Sequence, residues 1–292
     1  MKIEVDRSDI RLDVFLAEVL EVSRSNVTKM VKNNEVLVNE ALVKAGYMVK
    51  EGDLIEVNKT EEDSDILPEK MDLDIVYEDE DVIVVNKANG VVVHPAPGNY
   101  HGTLVNGLLY HSRLSDVNGE FRPGIVHRID AYTTGLLMVA KNNKAHEILA
   151  RELAEKKTYR KYVALVWGVI KSDTGTIDAP IGRSKKDRKK MAIDKDGKEA
   201  ITHFKVLKRY KDVTLIELKL ETGRTHQIRV HMSYIGHPVV NDPVYSSRKL
   251  IDDTGQCLHA KELGFVHPKT KEYMQFDSPL PLEFLNILNS FE

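Results

Sequence analysis

Residues 202–236 read THFKVLKRYKDVTLIELKLETGRTHQIRVHMSYIG. As far as Leu220 the stretch reads as a hairpin of two long strands that turns near Lys211 and Asp212. After Gly223 the period changes. Ile228, Met232 and Ile235 recur at helical spacing, Thr225 stands as a candidate N-cap, and Gly236 is a stop signal. A strand pair that runs straight into an amphipathic helix is the unit of an α+β fold.

Working outward, KTYRKYVALVWG (157–168) reads as another long strand. NNKAHEILARELAEKK (142–157) places Ala145, Ile148, Leu149 and Leu153 on one helical face, with Asn143 as its expected cap. LDIVYEDEDVIVVNK (73–87) has two strand-like runs around an acidic turn, and GVVVHP (90–95) supplies a further short extended run. Strand pairs with interspersed helices predict an α+β fold around a mostly antiparallel central sheet with flanking helices. No internal repeat is evident.

The chain's start has a different texture. In RLDVFLAEVL (11–20), Leu12, Phe15, Leu16 and Val19 fall at helical spacing. Ser23 is an expected N-cap for a second helix carrying Val27, Met30 and Val31. The short strands EVLVNE (35–40) and DLIEVN (53–58) complete a small N-terminal α/β unit. KTEEDSDILPEK (59–70) then loses periodicity, turns acidic and contains Pro68, as linkers do. The expected organisation is a domain over 1–60, a linker over 61–72 and a larger domain over 73–292.

Composition bounds the function classes. The 292 residues are 42% hydrophobic, enough for one large core or two smaller ones. The start MKIEVDRSDI is charged throughout, and no apolar run approaches the ~18 residues of a membrane span, so a cytoplasmic protein is expected. A single cysteine, Cys257, excludes an internal disulfide and a zinc site of paired cysteines; it is expected as a free core thiol. The formal net charge of -3 argues against indiscriminate nucleic-acid binding, but local basic surface is not excluded.

Residues 124–142, GIVHRIDAYTTGLLMVAKN, place one acid, Asp130, between two apolar runs expected to be buried strands. Thr133 and Thr134 can bond nearby backbone groups, and Gly135 permits a turn with positive φ. Alone, such an acid is an ordinary turn residue. Arg224, before the helix start, and Tyr162, among strand residues, add a fixed cation and an aromatic face to it.

These motifs, in this order, resemble the RluA-like family of RNA pseudouridine synthases. The resemblance runs over about residues 77–281 and rests on HRID with its TTG, on YVALVWG, on ETGRTHQIRVHMSYIGHPVVNDPVY and on GVVVHP. Ile129 and Thr134 stand where leucine and serine are more usual, and Ala131 and Tyr132 where charged or polar residues are common. The opening order RLDVFL, SRSNVTKMVKNNEVLVN, VKEGDLIEV is similar to the S-four-like RNA-binding domain, named for a ribosomal small-subunit protein, over roughly residues 1–57.

The family resemblance implies conversion of uridine to pseudouridine, in which N1–C1′ breaks and C5–C1′ forms with no redox change. No cofactor is required. It implies a central sheet of the pseudouridine synthase type and Asp130 as the catalytic carboxylate, either nucleophile or base. Arg224 matches the basic partner, Tyr162 the residue that stacks on the base, and Arg128 an arginine that fills the space left by a flipped base. Ile228 joins these as a substrate-binding residue. On charge alone Arg24, Lys29 and Lys32, on or beside the first domain's two helices, read as a solvated face; the S-four-like resemblance implies instead that these helices present them to structured RNA.

GRSKKDRKKMAIDKDGK (182–198) concentrates Lys185, Lys186, Arg188 and Lys189 beside Arg183 and Lys190, either as a solvated loop or as phosphate contacts. His226 and His231 lack the HExxH spacing, so no metal is expected. His127 is expected to pack or bond behind Asp130, and Trp167 to lie in the core. Two other classes compete. A silent RNA-binding or ribosome-assembly factor has no need of Asp130, Arg224 and Tyr162 together, and most glycosidases need a second carboxylate across the sugar. Among RNAs, an S-four-like domain ahead of an RluA-like domain resembles the branch acting on large-subunit ribosomal RNA, with transfer RNA as the alternative.

Overall fold

The computed structural model describes residues 1–20, 24–58, 66–95, 99–117 and 122–292. The expected cap Ser23 and the first part of the expected linker lie outside them. The chain divides into two compact units, Met1–Ser64 and Asp65–Glu292.

The first unit holds β1 (Lys2–Glu4), β2 (Ile10–Arg11), α1 (Leu12–Val19), α2 (Arg24–Lys32), β3 (Val36–Val38), β4 (Ala41–Leu42), β5 (Met48–Val49) and β6 (Leu54–Val57). Its core packs Leu12, Phe15 and Leu16 of α1 and Val27 and Val31 of α2 against Val36, Val38, Ile55 and Val57. The helical and alternating spacings in the sequence supply these inward faces. Asp13 is buried beside that core, where Arg11 Nε (3.0 Å) and Arg24 Nη2 (3.0 Å) hold its carboxylate.

The second unit contains β7 (Ile75–Glu78), β8 (Val82–Lys87), α3 (Leu104–His111), β9 (Thr134–Ala140), α4 (Asn143–Ala154), β10 (Tyr159–Trp167), β11 (Thr174–Asp178), β12 (Ile181–Arg183), β13 (Met191–Ile193), β14 (Ile201–Arg209), β15 (Val213–Leu220), α5 (Gln227–Tyr234), β16 (Leu258–Val266), β17 (Tyr273–Asp277) and α6 (Leu282–Asn289). Nine strands form one sheet in the order β11-β14-β15-β10-β16-β9-β8-β7, with β17 also on β16. Every pairing in it is antiparallel except β16 with β9. The expected α+β fold around a mostly antiparallel sheet is therefore found. Among the described residues no helix is long and apolar enough to cross a membrane.

The sheet is covered on both sides, which is why β10, at its centre, is buried along most of its length. One face carries Tyr162, Ala164 and Val166 into a core shared with Leu104 and Leu108 of α3 and Ile228 and Met232 of α5. On the other face Val163 and Leu165 meet Phe284 and Ile287 of α6, and Trp167 packs at their margin, edge-on to Phe291 at 5.6 Å. Cys257 is a free buried thiol in that second core.

Several local expectations are corrected. Residues 124–126 form only an isolated bridge, Ile125 to Val139, so Asp130 lies on a loop leading into β9 and not between two strands. GVVVHP is not a strand either, because the Val92 and Val93 carbonyls receive the first N–H groups of α3. Asn142, not Asn143, caps α4 by accepting from the Ala145 N–H; the Asn143 side chain is occupied by Ser115 and Asp116. Helix α5 is preceded by His226 in the left-handed conformation (φ 56°), which displaces Thr225 from the cap. Glu69, within the expected linker, bonds backbone to backbone with Asn106 of α3, so this part of the chain is tied to the second unit.

Candidate active site

The loop carrying Asp130 is fastened from four directions. His127 Nε2 accepts from the Met138 N–H at 3.1 Å, Thr133 Oγ1 accepts from Gln256 Nε2 at 3.1 Å, and Thr134 Oγ1 lies 2.8 Å from His259 Nδ1. The threonines thus bond to side chains before and on β16, not to nearby backbone. Lys87 Nζ supplies the fourth tie, donating to the carbonyls of Ala88 (2.8 Å) and Ala131 (2.6 Å). Burial pushes the Lys87 ammonium down to about 7, against the opposing pull of Asp130. Gly135 follows with φ 107°, and a Cβ there would run into the Ala260 carbonyl, so the parallel approach of β9 to β16 requires glycine.

The cation that meets Asp130 is Arg229. Its Nη1 lies 3.0 Å from Asp130 Oδ2, while its Nε and Nη2 form a two-pronged bond with Asp242 at 2.7 and 2.9 Å. Burial opposes the charge on Arg229, but Asp242 and Asp130 outweigh it and raise its pKa above the ordinary arginine value. Asp242 is fully buried; Arg229 and the N–H groups of Tyr245 and Val244 overcome that burial and hold its carboxyl below the usual range. The expected pairing of Asp130 with Arg224 is not found. Because α5 begins at Gln227, Arg224 lies before the helix and donates its Nε–H to the Glu199 carbonyl at 2.8 Å.

His226 stands on the other side of the acid, with Nε2 3.9 Å from Asp130 Oδ1. Tyr245 Oη accepts from the Met191 N–H at 2.9 Å and lies 2.8 Å from His226 Nδ1. Burial lowers the ring's pKa, against Asp130's pull, which favours the neutral ring.

Asp130 opens on a cavity of about 560 Å³ that is also lined by Arg128, Tyr162, Arg224 and Ile228. All five residues assigned from the sequence to catalysis and substrate binding are brought to one site. Tyr162 presents its ring from β10; its hydroxyl makes no hydrogen bond among the described residues, and burial raises its pKa. Arg128 is exposed at the cavity and reaches His94 Nε2 at 3.5 Å. His94 is kept neutral by burial and by Arg128 and Arg122, which push it down to about 4.

The basic stretch forms the hairpin β12–β13, with Lys185, Lys186, Arg188 and Lys189 exposed at its tip. It docks beside the site through Lys190 Nζ to the Val244 carbonyl (3.0 Å) and through the Met191–Tyr245 bond. In the first unit Arg24 and Lys32 are exposed on α2; the side chain of Lys29 lies outside the described residues.

Arg229, Asp242, Lys87 and Tyr245 escaped sequence reasoning, which weighs His226 only as a metal ligand. One signal was present. Arg229 sits between Ile228 and Val230, and Asp242 comes two residues after the apolar pair Val239-Val240. A buried acid and a buried base in apolar settings call for each other.

The family profile described as RNA pseudouridylate synthase matches residues 81–234, and the S4 domain profile matches residues 10–55. The uncharacterized RNA pseudouridine synthase YlyB of Bacillus subtilis is 56% identical over 283 residues, covering 96% of this chain and 93% of that protein. The ribosomal large subunit pseudouridine synthase D of Pseudomonas aeruginosa is 44% identical, covering 96% of this chain and 91% of that protein. Among solved structures, human RNA pseudouridylate synthase domain containing 1 superposes with a TM-score of 0.59 at 32% identity, over 71% of this chain and 83% of that one. With this profile over more than half of its length, relatives of this similarity and an S4 domain ahead of it in the sequence, the chain belongs to the RNA pseudouridylate synthase family.

Proposed function

We propose that this enzyme isomerises uridines of large-subunit ribosomal RNA in the cytoplasm, with Asp130 as the catalytic carboxylate. The observation that carries the reading is the clamp on Asp130 by Arg229, itself gripped by Asp242, beside the Tyr162 ring in one cavity. A flipped uridine seated there places C1′ against Asp130, which acts either as nucleophile at C1′ or as base toward a sugar proton. Tyr162 and Ile228 give the uracil an aromatic face and an apolar wall on which to turn before C5 meets C1′. Arg128, at the cavity and only weakly held by His94, enters the duplex gap left by the base.

Hydrolysis fits the cavity less well. A glycosidase needs a second carboxyl free to act across the sugar. Asp242 is committed to Arg229, and the rim acids Glu199 and Glu221 are both paired with Lys156 at 2.9 and 3.3 Å.

The substrate class rests on the S4 domain and on relatives named for the large ribosomal subunit in Pseudomonas aeruginosa and Neisseria meningitidis. The exposed cations Arg24 and Lys32, with Lys29 on the same helix, and the hairpin cations Lys185, Lys186, Arg188 and Lys189 serve as phosphate contacts. Mapping pseudouridine in total RNA from cells with and without the gene tests this. Loss of one or more sites in large-subunit ribosomal RNA is expected; loss confined to transfer RNA overturns the substrate assignment.

A further inference from the structure

Among the described residues, Arg160 is the buried cation of this cavity with no anion to meet. It precedes Tyr162 by two residues on β10, so both side chains leave the same face of the strand, and both line the cavity. The residue is 8% exposed, and its Nε has no hydrogen-bond partner among the described residues. Among the described residues no carboxylate lies within ion-pair distance of it. The other cavity arginines differ: Arg229 holds two carboxylates, Arg128 is exposed, and Arg224 is only half-buried and bonds a carbonyl.

The surroundings preserve this isolation. His127, close by, is driven to the neutral form, down to about 3, by burial and by the guanidinium itself, so it adds no competing charge. Gly223 is exposed on the loop between β15 and α5, and a Cβ on it would stand 2.6 Å from Arg160 Nη1. Glycine at that position leaves room for the guanidinium at the cavity wall, next to Arg224. Burying a guanidinium without a counter-charge is costly, and a fold keeps one when something else supplies the charge. Burial accordingly lowers the pKa of Arg160.

The anions of an RNA substrate are its phosphodiesters, and a guanidinium matches two phosphate oxygens with two parallel N–H groups. We propose that Arg160 is the anion subsite of the cavity, binding a phosphodiester that flanks the flipped uridine and so fixing the sugar against Asp130. This rests on the uridine-isomerising reading above. Arg160 is then a substrate-binding residue, while the reacting atoms are left to Asp130.

The test uses the full chain and a large-subunit ribosomal RNA fragment bearing a mapped target uridine. Single phosphorothioates are placed 5′ or 3′ of that uridine, with the diastereomers separated. Wild type is expected to slow several-fold in single turnover with one of them. Arg160→Met is expected to be about tenfold or more slower on all-phosphate RNA and indifferent to the sulfur. Its salt dependence of binding should be shallower by about one counterion, and Arg160→Lys should recover part of the rate. Its melting temperature should equal or exceed that of wild type, because an unmatched buried charge has been removed. The proposal is overturned if no diastereomer slows wild type, if Arg160→Met suffers the same sulfur penalty, or if it melts lower while keeping the wild-type rate. Failure of the underlying reading looks different: wild type itself forms no pseudouridine.

Discussion

Arg229 and Asp130, 99 residues apart in the chain, meet at 3.0 Å, and the far edge of the same guanidinium is locked to Asp242. An arginine held on two sides cannot swing away from the acid it serves. The carboxylate of Asp130 therefore presents a fixed geometry to whatever enters the cavity, which is the preorganisation a displacement or proton abstraction at a sugar needs.

Arg229 and Arg224 should separate cleanly on mutation. Arg229→Met strands the buried Asp242 carboxylate and is expected to cost about 3–5 kcal/mol in stability, together with a large loss of single-turnover rate. Arg229→Lys should recover part of both, since it keeps the charge and loses the two-pronged geometry. Arg224→Met should fold normally, weaken RNA binding and flatten its salt dependence by about one counterion. Thermal melts and single-turnover rates on the same preparations check this. Equal effects at the two positions would contradict the assignment.

Tyr162 is expected to act through its ring. The hydroxyl has no protein partner among the described residues, so Tyr162→Phe should stay within a few-fold of the wild-type rate. Tyr162→Leu removes the aromatic face and should lose about 1–3 kcal/mol of substrate stabilisation. A phenylalanine variant as impaired as the leucine variant would assign the role to the hydroxyl.

The first unit carries its own pH signature. Hydrogen bonding from Arg11, reinforced by Arg24 and opposed by burial, pulls the Asp13 carboxyl from 3.8 to about 2. The unfolded chain therefore takes up this proton first as acid is added. Stability from Asp13 is present in full above about pH 4 and is lost as pH falls through about 2. The difference in melting temperature between wild type and Asp13→Asn should shrink over that window. A difference that is flat from pH 5 to pH 2 would show that the arginines do not hold this acid.

Sequence pattern reaches the fold further than it reaches the site. The β14–β15 hairpin, the long β10 and the apolar stripe of α5 are legible because alternation and helical spacing are local. The partner of Asp130 is not, since each residue by which a helix start moves turns its side chains by about 100°. His226 in the left-handed conformation starts α5 at Gln227, and that start sends Arg229, not Arg224, to the acid. Lys87 and Arg160 look like exposed strand charges until the sheet is known to be covered on both faces. Their burial is a property of layers far apart in sequence.

The most direct measurement is pseudouridine formation by purified wild type and Asp130→Asn on a large-subunit ribosomal RNA transcript, read by mass spectrometry of the digested RNA. Wild type should convert specific uridines, leaving RNA length unchanged and releasing no free uracil. Asp130→Asn should bind the transcript with near wild-type affinity and form no pseudouridine, because the amide keeps the shape and hydrogen bonding but can be neither nucleophile nor base. Appreciable turnover by the variant, with its asparagine shown intact, would contradict the account.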